Sequence, residues 1–155
     1  MSISAPDFTN NLFALLEETF ESKHHGIYLD KGTSLFETLE TVSAQEASIP
    51  VGGKCASLAA QVAHVIFYIE SFERFALQGD TSPRDWGEIW RTVEKVTPAE
   101  WDEYKRKLND AYLRMSKLFH ENPTWNEDTM GGALSIVVHT AYHLGEIRQA
   151  LCTLK

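Results

Sequence analysis

Hydrophobic residues recur every three to four positions along most of the chain, and the strict alternation typical of a strand is scarce. This period predicts four long amphipathic helices, which run from about Asp7 to Lys23, Lys54 to Leu77, Thr97 to His120 and Asp128 to Leu151. A shorter helical segment is predicted from about Ser34 to Gln45. The pattern therefore predicts an all-α fold.

The ends of these helices carry local signals. Thr97, Pro98 and Glu100 combine an N-cap, a proline at the first helical position and the acidic partner of a capping box, so they predict the start of the third long helix. Gly79 predicts the end of the second. The stretch from Thr81 to Val96 contains proline and glycine, and we predict a loop there with about one helical turn.

Four long amphipathic helices predict a four-helix bundle, with the short helix placed between the first and second long ones. The long link between those two leaves room for a crossover, so a simple up-down-up-down order is not assured. A length of 155 residues fits one domain, and we predict that residues 1–155 form a single bundle.

The composition excludes some classes of partner and does not change the predicted fold. The chain has a formal net charge of -8, and its densest basic run, Lys105 to Lys107, lies among acidic residues. Nucleic acids and anionic membranes are usually bound by basic patches, so neither is expected as a partner. The first residues lack a basic and an apolar signal region, and no apolar stretch approaches the ~20 residues that span a bilayer. We therefore expect a soluble cytoplasmic protein.

Cys55 and Cys152 are far apart in sequence and do not form a C-x-x-C motif. The sequence therefore supports neither a zinc knuckle nor a thioredoxin-like site. Free cysteines are commonly buried, so we predict two reduced thiols in or near the core.

The fourth long helix has two apolar stripes. One follows an a/d heptad, and the second is made of small or apolar residues. A helix that is apolar on nearly all sides is expected to be central or to lie at a subunit contact. We therefore expect a homodimer. The first stripe contains Ala133, Ile136, Thr140, His143, Ile147, Ala150 and Leu154, and the second contains Val137, Val138, Ala141 and Gly145.

Three histidines carry the candidate chemistry. His139 and His143 are four residues apart, so a helix places both on one face. His64 lies on the core face of the second long helix. Bundles build metal sites from side chains that project inward from facing helices, and three neutral imidazoles with a vacant fourth position form a catalytic metal site. The alternative for each residue is a hydrogen-bonded core histidine.

The ligand type limits the metal without identifying it. Imidazole suits zinc, nickel, copper and iron(II), and affinity alone does not select among them. We expect a divalent ion, with zinc or nickel preferred and iron or manganese as further candidates. A dinuclear carboxylate site needs several inward glutamates and the order Glu-x-x-His on two helices. This motif has only the reverse order, from His143 to Glu146, so such a site is disfavoured.

Three neighbouring residues are candidates for supporting roles. Glu146 lies one turn beyond His143 and could orient a ligand or act as a base, or bond to an arginine or to solvent at the end of the bundle. Gln61 and Tyr68 flank His64 by about one turn on either side. They could hold a ring N–H or a substrate, or could bond to each other.

The other histidines and the tryptophans are expected to have no such role. His24, His25 and His120 fall at predicted helix ends beside charged residues, so we predict that they are exposed. The tryptophans are not accompanied by a nucleotide-binding glycine motif, so we predict that they serve packing. These are Trp86, Trp90, Trp101 and Trp125, of which the first two are expected to cover a rim of the core.

The single histidine of the second long helix, followed much later by H-x-x-x-H-x-G-x-I-R-Q, resembles the DinB/YfiT-like superfamily of metal-binding four-helix bundles from bacteria. The matching residues are His64, His139, His143, Gly145, Ile147, Arg148 and Gln149. The helix order resembles that superfamily over nearly the whole chain, but only the final motif is specific. Glu146 stands where the motif commonly carries glutamine, so no role is carried over to that position.

The resemblance implies an up-down-down-up bundle, frequent dimers, and a divalent metal on three histidines with water completing the shell. Several members are similar to S-transferases or isomerases that use bacillithiol, mycothiol or glutathione. Our leading hypothesis is therefore a metal-dependent enzyme that acts on a small-molecule thiol and an electrophile. The alternatives are a metal-dependent hydrolase and a non-catalytic dimeric bundle that binds metal or a partner.

Overall fold

The computed structural model describes residues 4–53, 55–122 and 124–154. Within them the chain forms helices, one 3-10 turn at Val51–Gly53 and no strand, which confirms the prediction of an all-α fold. The helices are α1 (Ala5–Phe20), α2 (Leu35–Glu40), α3 (Ala44–Ala47), α4 (Leu58–Gln78), α5 (Glu88–Thr92), α6 (Pro98–His120) and α7 (Glu127–Leu154).

Helix α1 starts and ends earlier than predicted. The side chain of Ser4 caps its first turn by accepting a hydrogen bond from the backbone N–H of Asp7 at 3.2 Å. The helix ends at Phe20 instead of Lys23, because the chain then turns back over the buried carboxylate of Glu18. That carboxylate accepts hydrogen bonds from four backbone N–H groups within residues 25–29.

The predicted single segment from Ser34 to Gln45 is wrong, because it consists of two short helices. Ser34 and Glu37 form a capping box at the start of α2. Ser43 and Glu46 form a second one, which starts α3 in a new direction. The indole Nε1 of Trp101 donates to the backbone carbonyl of Val42 at 2.8 Å and ties the link between α2 and α3 to α6.

Helix α4 begins later than predicted. Ser57 caps it by accepting from the backbone N–H of Ala60, so residues 55–57 precede the helix. The predicted start, Lys54, lies outside the described residues. The helix ends as expected at Gly79, which adopts a left-handed conformation with φ 65°.

The two remaining long helices follow the prediction closely. Thr97 and Glu100 form the expected capping box of α6, which ends at His120. Helix α7 starts after Asn126, whose side-chain oxygen accepts from the backbone N–H of Thr129 at 2.9 Å. It continues three residues beyond the predicted end at Leu151.

Helix α4 lies at the centre of the packing. It contacts α6 and α7, and α7 also contacts α1. Each of these long helices contributes buried side chains to one continuous apolar core, and α4 contributes Leu58, Val62, Val65 and Ile69. Helix α4 therefore connects α6 and α7 through this core.

The two apolar stripes of α7 have different surroundings. The heptad residues from Ala133 to Ala150 are buried. The second stripe is not continuous, because Val137 is buried whereas Val138 is 67% exposed. Leu134 and Tyr142 are exposed on the same side as Val138, one turn away in each direction. The homodimer stays a prediction.

The cysteines are unpaired, as predicted, but their predicted position in or near the core is wrong. Cys55 and Cys152 are both free thiols, and both are exposed. Cys55 lies in the irregular link before α4, where no helix face directs it inward. Cys152 follows the buried Leu151 on the last turn of α7 and therefore points away from the core.

No single helix among the described residues is long and apolar enough to cross a membrane. The segments Ala44–Gly53 and Leu58–Gln78 meet the same length and composition test only as a pair, and they are bent by 99° relative to each other.

Candidate metal centre

The three predicted histidines meet between α4 and α7. His64 lies in the second turn of α4, and His139 and His143 lie on successive turns of α7. Each residue offers one ligand atom, and these atoms all lie within 4.8 Å of one another. His64 is 8% exposed and His143 5% exposed, while His139 is half-buried. The helix packing therefore assembles a nitrogen cluster from residues that are far apart in sequence.

The distance between two of the rings fits a shared ion. Nε2 of His139 lies 3.2 Å from Nε2 of His64. Two nitrogens that each lie at 2.0–2.1 Å from one tetrahedral zinc ion are about 3.3 Å apart. The Nδ1 atoms of both rings are buried, and neither has a hydrogen-bond partner among the described residues. Apart from the contact between their Nε2 atoms, hydrogen bonding within the described residues therefore accounts for the position of neither ring.

The imidazoles are in the protonation state that metal binding requires. Burial lowers the pKa of His64 to about 4, and the neighbouring His143 adds to this effect. Burial also lowers the pKa of His139 to about 3, with further contributions from His143 and His64. The pKa of His143 is lowered by burial, although Glu146 opposes the shift. All three rings are therefore neutral at pH 7 and can offer lone pairs.

Gln61 and Glu146 fix the orientation of His143. Oε1 of Gln61 makes a short contact with Nδ1 of His143, and Oε2 of Glu146 lies 3.0 Å from the same nitrogen. Both oxygens accept, so Nδ1 carries the proton and Nε2 keeps its lone pair for a ligand. Of the roles considered for Glu146, the geometry fits that of orienting a histidine.

Tyr68 contacts a different histidine. Its ring is stacked on that of His139, with centroids 3.7 Å apart and planes 10° apart. Gln61 and Tyr68 thus face His143 and His139 respectively, rather than each other. Tyr142 adds an edge contact to His143, with centroids 5.1 Å apart.

Two tryptophans that were predicted to cover a rim of the core cover the histidines instead. Trp90, on α5, lies 4.4 Å from the ring of His64 and 6.2 Å from that of His143. Trp86 contacts Phe67 and the edge of His64, at 5.4 and 6.5 Å. The connecting segment has no helical periodicity, so sequence reasoning missed this role.

The histidines open into a cavity of about 680 Å³. This volume is within the range of small-molecule sites. The cavity contains a second feature that sequence reasoning missed, because the exposed Cys55 is one of its lining residues. The lining consists of Cys55, Ala56, Gln61, His64, Trp90, His139, Tyr142, His143 and Glu146.

The remaining predictions for histidine and tryptophan are confirmed. His24, His25 and His120 are exposed. His25 bonds to Glu17 at 2.8 Å, and His120 stacks on Phe13 at 3.8 Å. Trp101 is buried, and Trp125 packs against Phe8 and Phe119, so both serve packing.

The donor set is three neutral imidazole nitrogens beside an open cavity, so the cluster could hold a divalent metal ion. These donors do not identify the metal. Comparison with protein-family models, with curated proteins and with solved structures finds no match to this chain.

Proposed function

We propose that this protein is a metal-dependent enzyme in which His64, His139 and His143 hold a divalent ion that binds a low-molecular-weight thiol. The reaction is the transfer of that thiol to a small electrophile, or a thiol-dependent isomerisation. The observation that carries the proposal is the cluster of three neutral imidazoles at the side of a cavity. Three protein ligands leave a coordination position for a small molecule, as in catalytic rather than structural metal sites.

A bound divalent ion would lower the pKa of a coordinated thiol and so provide a nucleophile at neutral pH. The protein side chains supply the geometry. Gln61 and Glu146 hold the proton of His143 on Nδ1. Tyr68 fixes the ring plane of His139 by stacking on it. Trp90 covers His64 and reduces its contact with water.

We also infer that the four long helices form an up-down-down-up bundle of the DinB/YfiT-like type. Ring contacts between α1 and α6 support an antiparallel pair, because Phe13 contacts His120 whereas Phe20, about two turns later, contacts Tyr112. Phe8 contacts Trp125 near the starts of α1 and α7, as expected for a parallel pair.

Contacts between α4 and α7 support the direction of α4 in this order. His64 contacts His143 in the first half of α4, whereas Phe72 approaches the earlier residue Gly132 in the second half. A β-carbon on Gly132 would lie only 2.0 Å from the Phe72 ring, so glycine permits this close approach. The two helices therefore run in opposite directions, as the up-down-down-up order requires.

We expect zinc or nickel as the ion and a homodimer as the assembly. The exposed apolar side chains of Leu134 and Val138 on one side of α7 support self-association. Measurement of the molecular mass in solution tests the dimer. A monomeric mass at micromolar concentration would contradict it.

Turnover assays test the enzymatic proposal. Protein loaded separately with zinc or nickel is mixed with 1-chloro-2,4-dinitrobenzene and with glutathione, bacillithiol or mycothiol, and formation of the aryl thioether is followed. We expect saturable turnover with at least one thiol, loss of it in His64→Ala, and retention of it in the matched surface variant His120→Ala.

The alternatives give different results. Hydrolysis of p-nitrophenyl acetate that needs metal but no thiol would support a hydrolase. Stable metal binding without turnover of either probe would support a non-catalytic metal-binding bundle.

A further inference from the structure

Two large aromatic side chains remain accessible beside the histidine centre. Trp90 is 39% exposed and Tyr142 is 61% exposed, and both line the cavity that contains the three histidines. Exposed aromatic rings are costly to leave in water, and at the wall of a cavity they commonly serve as contact surfaces for a ligand. These two rings are therefore candidates for substrate contact.

The two rings approach the centre from different elements. The Trp90 ring is held by α5 at 6.2 Å from that of His143. The Tyr142 ring is held by α7 at 5.1 Å from that of His143. Aromatic rings interact favourably at centroid distances of 4.5–7 Å. Both rings thus line the cavity close to His143, where a bound group could contact them.

Charge recognition is the competing explanation for the cavity. Among its described lining residues there is one carboxylate, that of Glu146, and no lysine or arginine. This carboxylate already accepts from Nδ1 of His143 and from the hydroxyl of Tyr142. The ring faces, rather than the carboxylate, are therefore the larger unused surface.

We propose that Trp90 and Tyr142 select a substrate with an aromatic or conjugated group and hold that group by stacking beside the histidine centre. This inference rests on the proposed function, because it assigns a substrate class to the same site. The two side chains determine specificity and do not act on the reacting atoms. Each ring is expected to contribute about 2- to 12-fold to the affinity for such a group.

Two probe thiols of similar size separate stacking from simple hydrophobic burial. Benzyl mercaptan carries an aromatic ring, and cyclohexylmethanethiol carries a saturated one. Their dissociation constants are measured on the full chain loaded with cobalt(II), from the near-ultraviolet absorption of the sulfur–cobalt contact. The two thiols differ in acidity, so their affinities for one protein are not compared directly. The decisive quantity is the ratio of the two dissociation constants, compared between wild type and each variant.

We expect Trp90→Leu and Tyr142→Leu each to lower the preference for benzyl mercaptan by about 2- to 12-fold. Trp90→Phe should retain most of the preference, because it keeps a ring. Phe75→Leu is the matched control, since Phe75 is 40% exposed but does not line this cavity, and its ratio should equal that of the wild type. Circular dichroism of every variant checks that the fold is kept.

Failure of this inference differs from failure of the proposed function. Cobalt binding with equal ratios in wild type and variants would overturn the aromatic selection and leave the metal site standing. Protein that binds no cobalt would contradict the proposed function, and the same variants are then compared without metal by NMR of the indole N–H with benzyl alcohol and cyclohexylmethanol. A dimer that dissociates in Trp90→Leu or Tyr142→Leu, with an unchanged ratio, would show that the rings contact a second copy instead.

Discussion

Glu18 and the histidine centre are both buried polar clusters, but their hydrogen bonding is very different. Glu18 is 2% exposed, and its two oxygens accept from the backbone N–H groups of His25, Ile27, Tyr28 and Leu29 at 2.6–3.0 Å. In the histidine centre, Nδ1 of His64 and of His139 is buried and has no partner among the described residues.

This difference separates a structural cluster from a functional one. Burial tends to raise the pKa of Glu18, but four backbone N–H donors outweigh it and lower the pKa to about 2. The carboxylate thus stays charged, and it holds the segment after α1 in place. The histidines are neutral, incompletely bonded and open to a cavity. The Nε2 atoms of His64 and His139 lie 3.2 Å apart, so one ion could bind both rings.

Removing a histidine should have the largest effect on the functional cluster. In His139→Ala we expect metal content to fall from about one equivalent to none, because two imidazoles cannot replace a three-ligand site. Stability without metal should change little or increase, since an unsatisfied buried group is lost. Mass spectrometry of protein purified without a histidine tag measures the metal.

The control for this prediction is His120→Ala, which removes an exposed histidine from α6. It should keep the wild-type metal content. Equal metal content in His139→Ala and wild type would contradict the assignment of His139 as a ligand.

Replacing Glu18 should lower the free energy of unfolding and leave the metal content unchanged. In Glu18→Gln the amide NH₂ faces backbone donors and the charge is lost, so we expect the free energy of unfolding to fall by about 3 kcal/mol. Urea unfolding of the metal-free protein measures it. Glu17→Gln, which removes a partly exposed partner of Lys23 and His25, should cost less than about 1 kcal/mol. A similar loss in both variants would show that the backbone donors around Glu18 contribute little.

Gln61 accepts a hydrogen bond from Nδ1 of His143, so this histidine, unlike His64 and His139, has a partner for its Nδ1 atom. In Gln61→Leu we expect metal affinity to fall about 10- to 100-fold, the range known for residues that orient metal ligands. Isothermal titration with zinc measures this change. Gln149→Leu, on the same helix as His143 but exposed, should leave it unchanged. Unchanged affinity in Gln61→Leu would mean that Glu146 alone orients His143.

As the pH is lowered, protonation linked to the histidines and to Glu18 should reduce the free energy of unfolding in two different pH ranges. The pKa values of His64 and His139 are lowered from 6.5, so the unfolded chain takes up protons first and metal-free stability falls as pH drops below about 6.5. The lowered pKa of Glu18 adds its loss only below about 4.5, and this loss continues as the pH falls through about 2.

Urea unfolding between pH 7 and pH 3 tests this separation. The variant with both His64→Ala and His139→Ala should lose less stability between pH 6.5 and 4.5 than the wild type. Glu18→Gln should keep the wild-type slope there and lose less below pH 4.5. A double histidine variant with the wild-type slope above pH 4.5 would contradict the lowered pKa values.

The sequence predicted the parts of the site that depend on helical period. His139 and His143 share a face because they are four residues apart, and His64 faces inward because its helix is amphipathic. Once α4 packs on α7, these three faces have to meet. The placement of Gln61 beside the centre follows from the same period.

The features that sequence reasoning missed depend on the path of the chain between the helices. Glu18 reads as a polar residue near a helix end, and its partners are backbone groups whose positions have no signature in side-chain pattern. Trp90 belongs to a segment without periodicity, so its contact with His64 arises only when α5 docks on α4. Cys55 reaches the cavity through the irregular link before Ser57, which the helix prediction had included in α4.

The ligands come from distant parts of the chain, since His64 precedes His139 by 75 residues. During synthesis on the ribosome, α4 emerges with a single imidazole, and one imidazole does not retain a divalent ion against the other ligands of the cell. An ion held by all three histidines could be acquired only after α7 has emerged and docked. The content of an ion bound in this way would therefore report completed folding of each molecule, and a chain whose last helix fails to dock would be recognisable as metal-free before any activity is measured.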